Sequence, residues 1–157
     1  MNNDESIKEF MQEDHKRLDG LFEKFKELKG KDDQEAKKNF CPFRRGLFVH
    51  IKWEEEILFP LFEEKTGMKD GGPTSVMRAE HLEIKDLLDN IRGQINTGDF
   101  NTEDMDNELT DILRGHNDKE ENILYPLIDQ SADDKEKKII FKQIKDMTPS
   151  NVCGCSH

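Results

Sequence analysis

Two stretches of the chain place a histidine and a carboxylate four residues apart among large apolar side chains. One is HIKWEEEILFPL, with His50 and Glu54; the other is HNDKEENILYPL, with His116 and Glu120. Residues four apart share a helix face. The face of His50 and Glu54 also carries Leu47, Ile57, Leu58 and Leu61, and that of His116 and Glu120 carries Leu109, Leu113, Ile123 and Leu127. At α-helical period both pairs therefore fall on buried faces. A solvent-facing ion pair is the ordinary reading of His and Glu at this spacing, but it explains neither the apolar neighbours nor the recurrence. A carboxylate buried without a partner costs several kcal/mol or takes up a proton, so these pairs call for a compensating group.

The two stretches are related by an offset of 66 residues (116 − 50 and 120 − 54), and the same offset relates His15 to His81 (81 − 15). Matching chemistry at three places in each half marks an internal duplication. Four of the five histidines belong to it. Either His15 or His81 alone would read as a satisfied core histidine; the shared offset makes them candidates for the same site.

The elements that must position these six residues are helices. Apolar side chains recur at three- and four-residue steps from Ser6 to Leu28, and Gly30 with the polar run KDDQ ends that helix. A second helix is predicted from Gln34 to Lys65, with Pro42 marking a kink or its true start. TGMKDGGP is a loop by composition. A third helix runs from Thr74 to Ile95, and a fourth runs to Asp129 with Thr102 as its N-cap. A short fifth helix occupies DDKEKKIIFKQIKDM. No segment alternates as a strand would. The predicted fold is all-α: an up-down-up-down four-helix bundle over residues 1–147, with the fifth helix packed across it or against one end. Residues 148–157 form a polar, flexible tail.

Heights along the bundle agree. His15 lies 16 residues before the turn at Lys31 and His50 lies 19 after it; His81 lies 19 before Phe100 and His116 lies 16 after it. At about 1.5 Å per residue these differ by about one turn or less, so His15, His50, Glu54, His81, His116 and Glu120 can meet in one core layer. Two multivalent cations would compensate such a layer. Imidazole with carboxylate suits iron, manganese, cobalt or zinc rather than calcium or magnesium.

The ordered pattern of His15, His50-x-x-x-Glu54, His81 and His116-x-x-x-Glu120 resembles the hemerythrin-like, HHE cation-binding domain family over roughly residues 5–130. The resemblance implies a four-helix bundle holding two Fe ions as an oxo- or hydroxo-bridged di-iron centre, with Mn or Zn as possible occupants. By that resemblance His15 and His50 bind one iron, His81 and His116 the other, and Glu54 and Glu120 bridge both. One departure stands out. Oxygen-carrying members have a fifth histidine in a HxxxH pair on the third helix, whereas His81 is flanked there by Met77 and Lys85. Two nearly equivalent metal positions are therefore expected, and poor reversible oxygen carriage with them. That is similar to the branch proposed to repair iron centres after nitrosative stress, and to the iron- and oxygen-sensing domain of an F-box ubiquitin-ligase subunit. The sequence contains neither the Cys-bearing segment of the first nor an F-box segment, so neither specific function carries over. The implied functions are binding or sensing of O2, NO, peroxide or iron; a di-iron oxidoreductase or an iron donor in repair of iron–sulfur centres; or a bundle merely stabilised by metal.

Neighbouring polar residues are read more plainly. Glu55, Glu121, Asp14 and Glu80 are expected to face solvent, with a supporting hydrogen bond to a ligand as the alternative. Trp53 and Tyr125, which border the ligand faces, are assigned to packing. The formal net charge of −11 argues against a nucleic-acid partner. No apolar run approaches the ~20 residues that span a bilayer, and MNNDESIKEF has no signal-peptide core. Three cysteines are too sparse for a disulfide framework and lead to the expectation of a reducing, cytoplasmic setting. Cys153, Cys155 and His157 lack the spacing of a zinc or thioredoxin motif, and Cys41 is expected to be a small buried side chain.

Overall fold

The computed structural model describes residues 5–149, and among these every regular element is helical. The predicted Cys153, Cys155 and His157 tail lies outside the described residues. Helix α1 spans Ile7–Leu28 and α2 spans Asp33–Trp53. A π-helical turn, Glu54–Leu58, joins α2 to α3 (Phe59–Thr66). Then come α4 (Pro73–Asn96), α5 (Glu103–Lys119), a second π turn at Glu120–Leu124, α6 (Tyr125–Ser131) and α7 (Asp134–Met147).

Local chemistry fixes the ends. The Ser6 hydroxyl accepts from the Glu9 amide at 3.0 Å, and Asp32 accepts from the Glu35 amide at 3.2 Å, so α2 starts at Asp33 and runs through Pro42 rather than beginning there. Asp133 and Glu136 form a reciprocal capping box at α7. Gly67 closes α3 in the left-handed region, at φ 72°. Thr102 stands before α5 as expected, but its side chain makes no capping bond. Its hydroxyl donates instead to Asp106 at 3.1 Å and accepts from Lys29. Cys41 is buried as expected. No described helix is long and apolar enough to cross a membrane.

Helix α1 packs on α2 and α6, α4 on α5 and α2, and α3 on α6. Gly46 lets α1 and α2 approach closely, for a Cβ there would lie 2.7 Å from Leu18 Cδ2. The bundle core divides into two apolar clusters. One holds Leu18, Phe22, Phe43, Leu47, Ile84, Leu88, Leu109 and Leu113. The other holds Met11, Trp53, Leu58, Phe62, Met77, Leu124 and Ile128, and α7 joins it through Ile140, Phe141 and Ile144. Between Met11 and Leu18, Met77 and Ile84, or Leu113 and Leu124, a buried polar layer interrupts the apolar sequence.

The π turns reset the helix phase. A continuous α-helix would bury Leu61, Ile123 and Leu127. Leu61 is only half-buried, Ile123 is 54% exposed and Leu127 36% exposed, while Phe62, Leu124, Tyr125 and Ile128 are buried. The buried positions are displaced by one residue because an i→i+5 turn inserts one residue into the helix. Each turn closes with the amide of Phe59 or Tyr125 donating to the carbonyl of Glu54 or Glu120. Pro60 and Pro126 follow immediately. A proline ring clashes with the carbonyl four residues back in an α-helix, and a widened turn relieves that clash.

Candidate metal centre

The structure brings all six sequence-selected residues into the polar layer. Each of the four histidines and both glutamates is at most 3% exposed. The donor atoms of Glu54, His81, His116 and Glu120 lie within 4.8 Å of one another, as do those of His15, His50 and Glu120. The division pairs His15 with His50 and His81 with His116. Ring centroids are 4.6 Å apart in the first pair and 4.9 Å in the second.

Each imidazole is gripped at Nδ1 by a carboxylate from another helix or turn. His15 meets Glu121 at 2.7 Å, His50 meets Asp14 at 2.8 Å, His81 meets Glu55 at 2.7 Å and His116 meets Glu80 at 2.9 Å. An ionised carboxylate can only accept, so Nδ1 carries the proton and donates. In the neutral ring Nε2 is then a lone pair, and all four Nε2 atoms turn toward the buried glutamates. The four outer carboxylates were expected chiefly at the solvent face; their other role, supporting the histidines, is the one the geometry shows. The duplication extends to them, since Asp14 and Glu80, like Glu55 and Glu121, are 66 apart (80 − 14 and 121 − 55).

Glu120 faces both histidine pairs. Its Oε1 is 3.3 Å from His15 Nε2 and its Oε2 is 3.2 Å from His116 Nε2. Glu54 Oε1 lies 3.2 Å from His81 Nε2 and 3.8 Å from His50 Nε2. Glu54 Oε1, His81 Nε2 and Glu120 Oε2 are buried without a hydrogen-bond partner. Orphaned polar atoms are scarce in folded proteins, and three converging on one point are the donor set a cation would satisfy.

Electrostatics within the layer run in the same direction. Burial opposes a charge on His15, but Glu120, Glu54 and Glu121 outweigh it and raise its pKa to about 9. Burial likewise opposes a charge on His81, and Glu54, Glu55 and Glu120 raise it to about 9. Burial and the Glu120 carboxylate push Glu54 up, while Glu120, despite its own burial, is drawn well down by Glu54, His116 and His15. The carboxylates thus favour the charged forms of His15 and His81, so that protons compete for nitrogens a cation could take.

Tyr125 was assigned to packing, and that assignment is incomplete. The residue is fully buried, and its hydroxyl lies 2.8 Å from Glu54 Oε2 and 3.0 Å from Glu120 Oε1. Its place five residues after Glu120, with a proline next to it, was the signal available in the sequence. Trp53 does pack, at 5.7 Å from Phe10. Met77 is buried in the apolar cluster beside α7. A groove of ≈ 430 Å³ between α1 and α5 counts His15, Asp19, Leu113, Asn117 and Glu121 among its lining. A larger one of ≈ 580 Å³, near Lys29 and Asp106, touches none of the six residues.

The hemerythrin HHE cation-binding domain matches residues 6–128, which include every residue of the buried layer. The chain belongs to the hemerythrin HHE cation-binding domain family. Helix α7 lies beyond the matched segment. Relatives that match about half of this chain include three that carry the name iron-sulfur cluster repair protein YtfE. The protein from Enterobacter sp. (strain 638) is 37% identical over 92 residues, covering 51% of this chain and 40% of the relative. Those from Escherichia coli O157:H7 and Edwardsiella ictaluri (strain 93-146) are 36% identical over 89 residues and 34% identical over 105. The chain spans less than half the length of these curated relatives. No solved structure shows a significant match.

Proposed function

We propose that this HHE domain is a non-haem di-iron protein that binds or senses O2, NO or peroxide, or carries iron. His15 and His50 would hold one iron, His81 and His116 the other, and Glu54 and Glu120 would bridge them. The observation that carries the reading is Glu120, with one oxygen aimed at each histidine pair. The four long helical rods are read as an up-down-up-down bundle, with residues 1–147 as one domain.

The chain's own residues supply orientation and charge. Asp14, Glu55, Glu80 and Glu121 fix each imidazole's tautomer and aim its lone pair inward, as supporting carboxylates do at metal-bound histidines. The two apolar clusters above and below exclude water. The groove that has His15 in its lining would give a small ligand an approach to the layer, which favours ligand binding over a purely structural role for the metals. Iron there would supply redox chemistry and open coordination positions.

A second reading is iron delivery in repair of iron–sulfur centres. The names of the three relatives favour it. The test of the first reading is elemental analysis of anaerobically purified protein, with visible spectra before and after O2 and NO. About two irons per chain and a spectral response to either gas are expected. One metal per chain, or a spectrum indifferent to both, would overturn it. Iron transfer to an acceptor protein lacking its cluster, without a gas response, would move the assignment to delivery.

A further inference from the structure

The duplication is broken at one place that touches the centre. Tyr125 and Phe59 are related by the 66-residue offset (125 − 59). Phe59 stacks flat on His81, with centroids 5.8 Å apart and 5° between the planes, and offers no polar atom. Tyr125 points its hydroxyl into the other half of the layer. Besides its contacts to Glu54 and Glu120, the oxygen lies 3.2 Å from His50 Nε2 and 3.3 Å from His15 Nε2.

These four neighbours exceed what a phenol can satisfy. A hydroxyl has one proton and two lone pairs. The phenol oxygen, two carboxylate oxygens and two ring nitrogens thus converge on one point, with all four neighbours within 3.3 Å of the phenol oxygen. That is an excess of polar atoms over the bonds one hydroxyl can make. A metal cation at this point would relieve it, and the phenol oxygen would then be one of the atoms facing that cation.

We propose that Tyr125 is a protein ligand to the metal held by His15 and His50, and that the metal held by His81 and His116 has no counterpart to it. This rests on the di-iron reading. On coordination the O–H bond breaks, the proton leaves to solvent as protons do when metal ligands are formed, and the oxygen's electron pair forms the metal bond. No electron is transferred. A hard anionic oxygen suits ferric iron, and tyrosinate is an established iron ligand elsewhere, at haem. The π turn serves this role, since it brings a residue five positions after Glu120 onto the Glu120 face. On this proposal the two metal positions differ, where the histidines alone lead to the expectation of two nearly equivalent ones.

The experiment loads the full chain with ferric iron and records visible absorption, resonance Raman and Mössbauer spectra. Tyr125 is the sequence's only tyrosine, so any tyrosinate signal belongs to it without recourse to a variant. Expected are a phenolate-to-iron absorption band, tyrosinate ring modes enhanced under that band, and two distinct iron environments in equal amount. In Tyr125→Phe, which installs the side chain the other half already has, the band should vanish while about two irons per chain remain. Wild-type protein that holds two irons without tyrosinate modes would overturn the inference and leave the di-iron reading standing. Wild-type protein that binds no iron would overturn both.

Discussion

At the scale of single residues, the centre depends on groups that never reach the metal position. Each outer carboxylate holds one imidazole at Nδ1, and for Asp14, Glu55 and Glu80 the imidazole in turn helps hold the carboxyl below its ordinary value. Burial raises Asp14, but His50 and Arg17 more than offset it and leave it below its ordinary value. His81 lowers Glu55 directly. Neutralising such a partner weakens the histidine as a ligand, typically by about 10–100-fold in metal affinity. Asp14→Asn and Glu55→Gln should each show a loss of that order in a chelator competition, with unchanged helicity by circular dichroism. Unchanged affinity would mean that the outer contacts only solvate charge. Among the inner residues, Glu120 faces both histidine pairs and His15 only one. Glu120→Ala should therefore lose more metal than His15→Ala under matched loading. Equal losses would show that Glu120 does not bridge. The inner six residues were legible in the sequence because type and offset coincide. The Tyr125 hydroxyl was not, because α-helical phase points residue 125 away from residue 120.

That error of phase belongs to the scale of the helix. Period counting carried the buried face correctly through Leu109, Leu113 and His116, then selected Ile123 and Leu127 where the structure buries Leu124 and Ile128. The cause is backbone chemistry. Pro60 and Pro126 each sit six residues after an inner glutamate (60 − 54 and 126 − 120), and both π turns end two residues before the proline. Helix existence and ends were legible from caps and loops, because Ser6, Gly30 and the 66–73 loop act locally. A one-residue insertion inside a helix leaves no mark in composition beyond the proline that follows it. It can be tested by removal. Deleting Asn122, exposed and within the second π turn, should convert that turn to α and leave α6 in phase with its neighbours. Deleting Asp111, exposed in the middle of α5, should rotate every residue from Ile112 to the π turn off its face. The first variant is expected to melt cooperatively within several degrees of wild type, and the second to lose its cooperative transition. Loss of cooperativity in both would show that the π turn cannot relax to α.

At the scale of the whole molecule, the polar layer couples stability, metal and pH. The apolar clusters on either side do not depend on metal, so the metal-free protein should keep its helicity. Its stability should depend on the imidazoles. His15 and His81 each have a folded pKa raised from 6.5 to about 9. A raised pKa contributes stability that is complete below the unfolded value and is lost as pH climbs through the folded one. The metal-free melting temperature should accordingly fall between about pH 6.5 and pH 9. Metal binding runs the other way. Protons leave the ligands when metal enters, so binding strengthens over the same interval as protons cease to compete. Free metal at a hundredfold excess over Kd adds about 2.7 kcal/mol, worth roughly 5–10 °C in a chain of this size. The gap between loaded and chelated melting temperatures should therefore widen steadily from pH 6.5 to pH 9, because the lower curve falls while the upper one is held. Thermal melts of both forms across that range, followed by far-UV circular dichroism, measure it. A gap that stays constant would mean that protons and metal do not compete for the same nitrogens, and that the buried histidines are not the ligands.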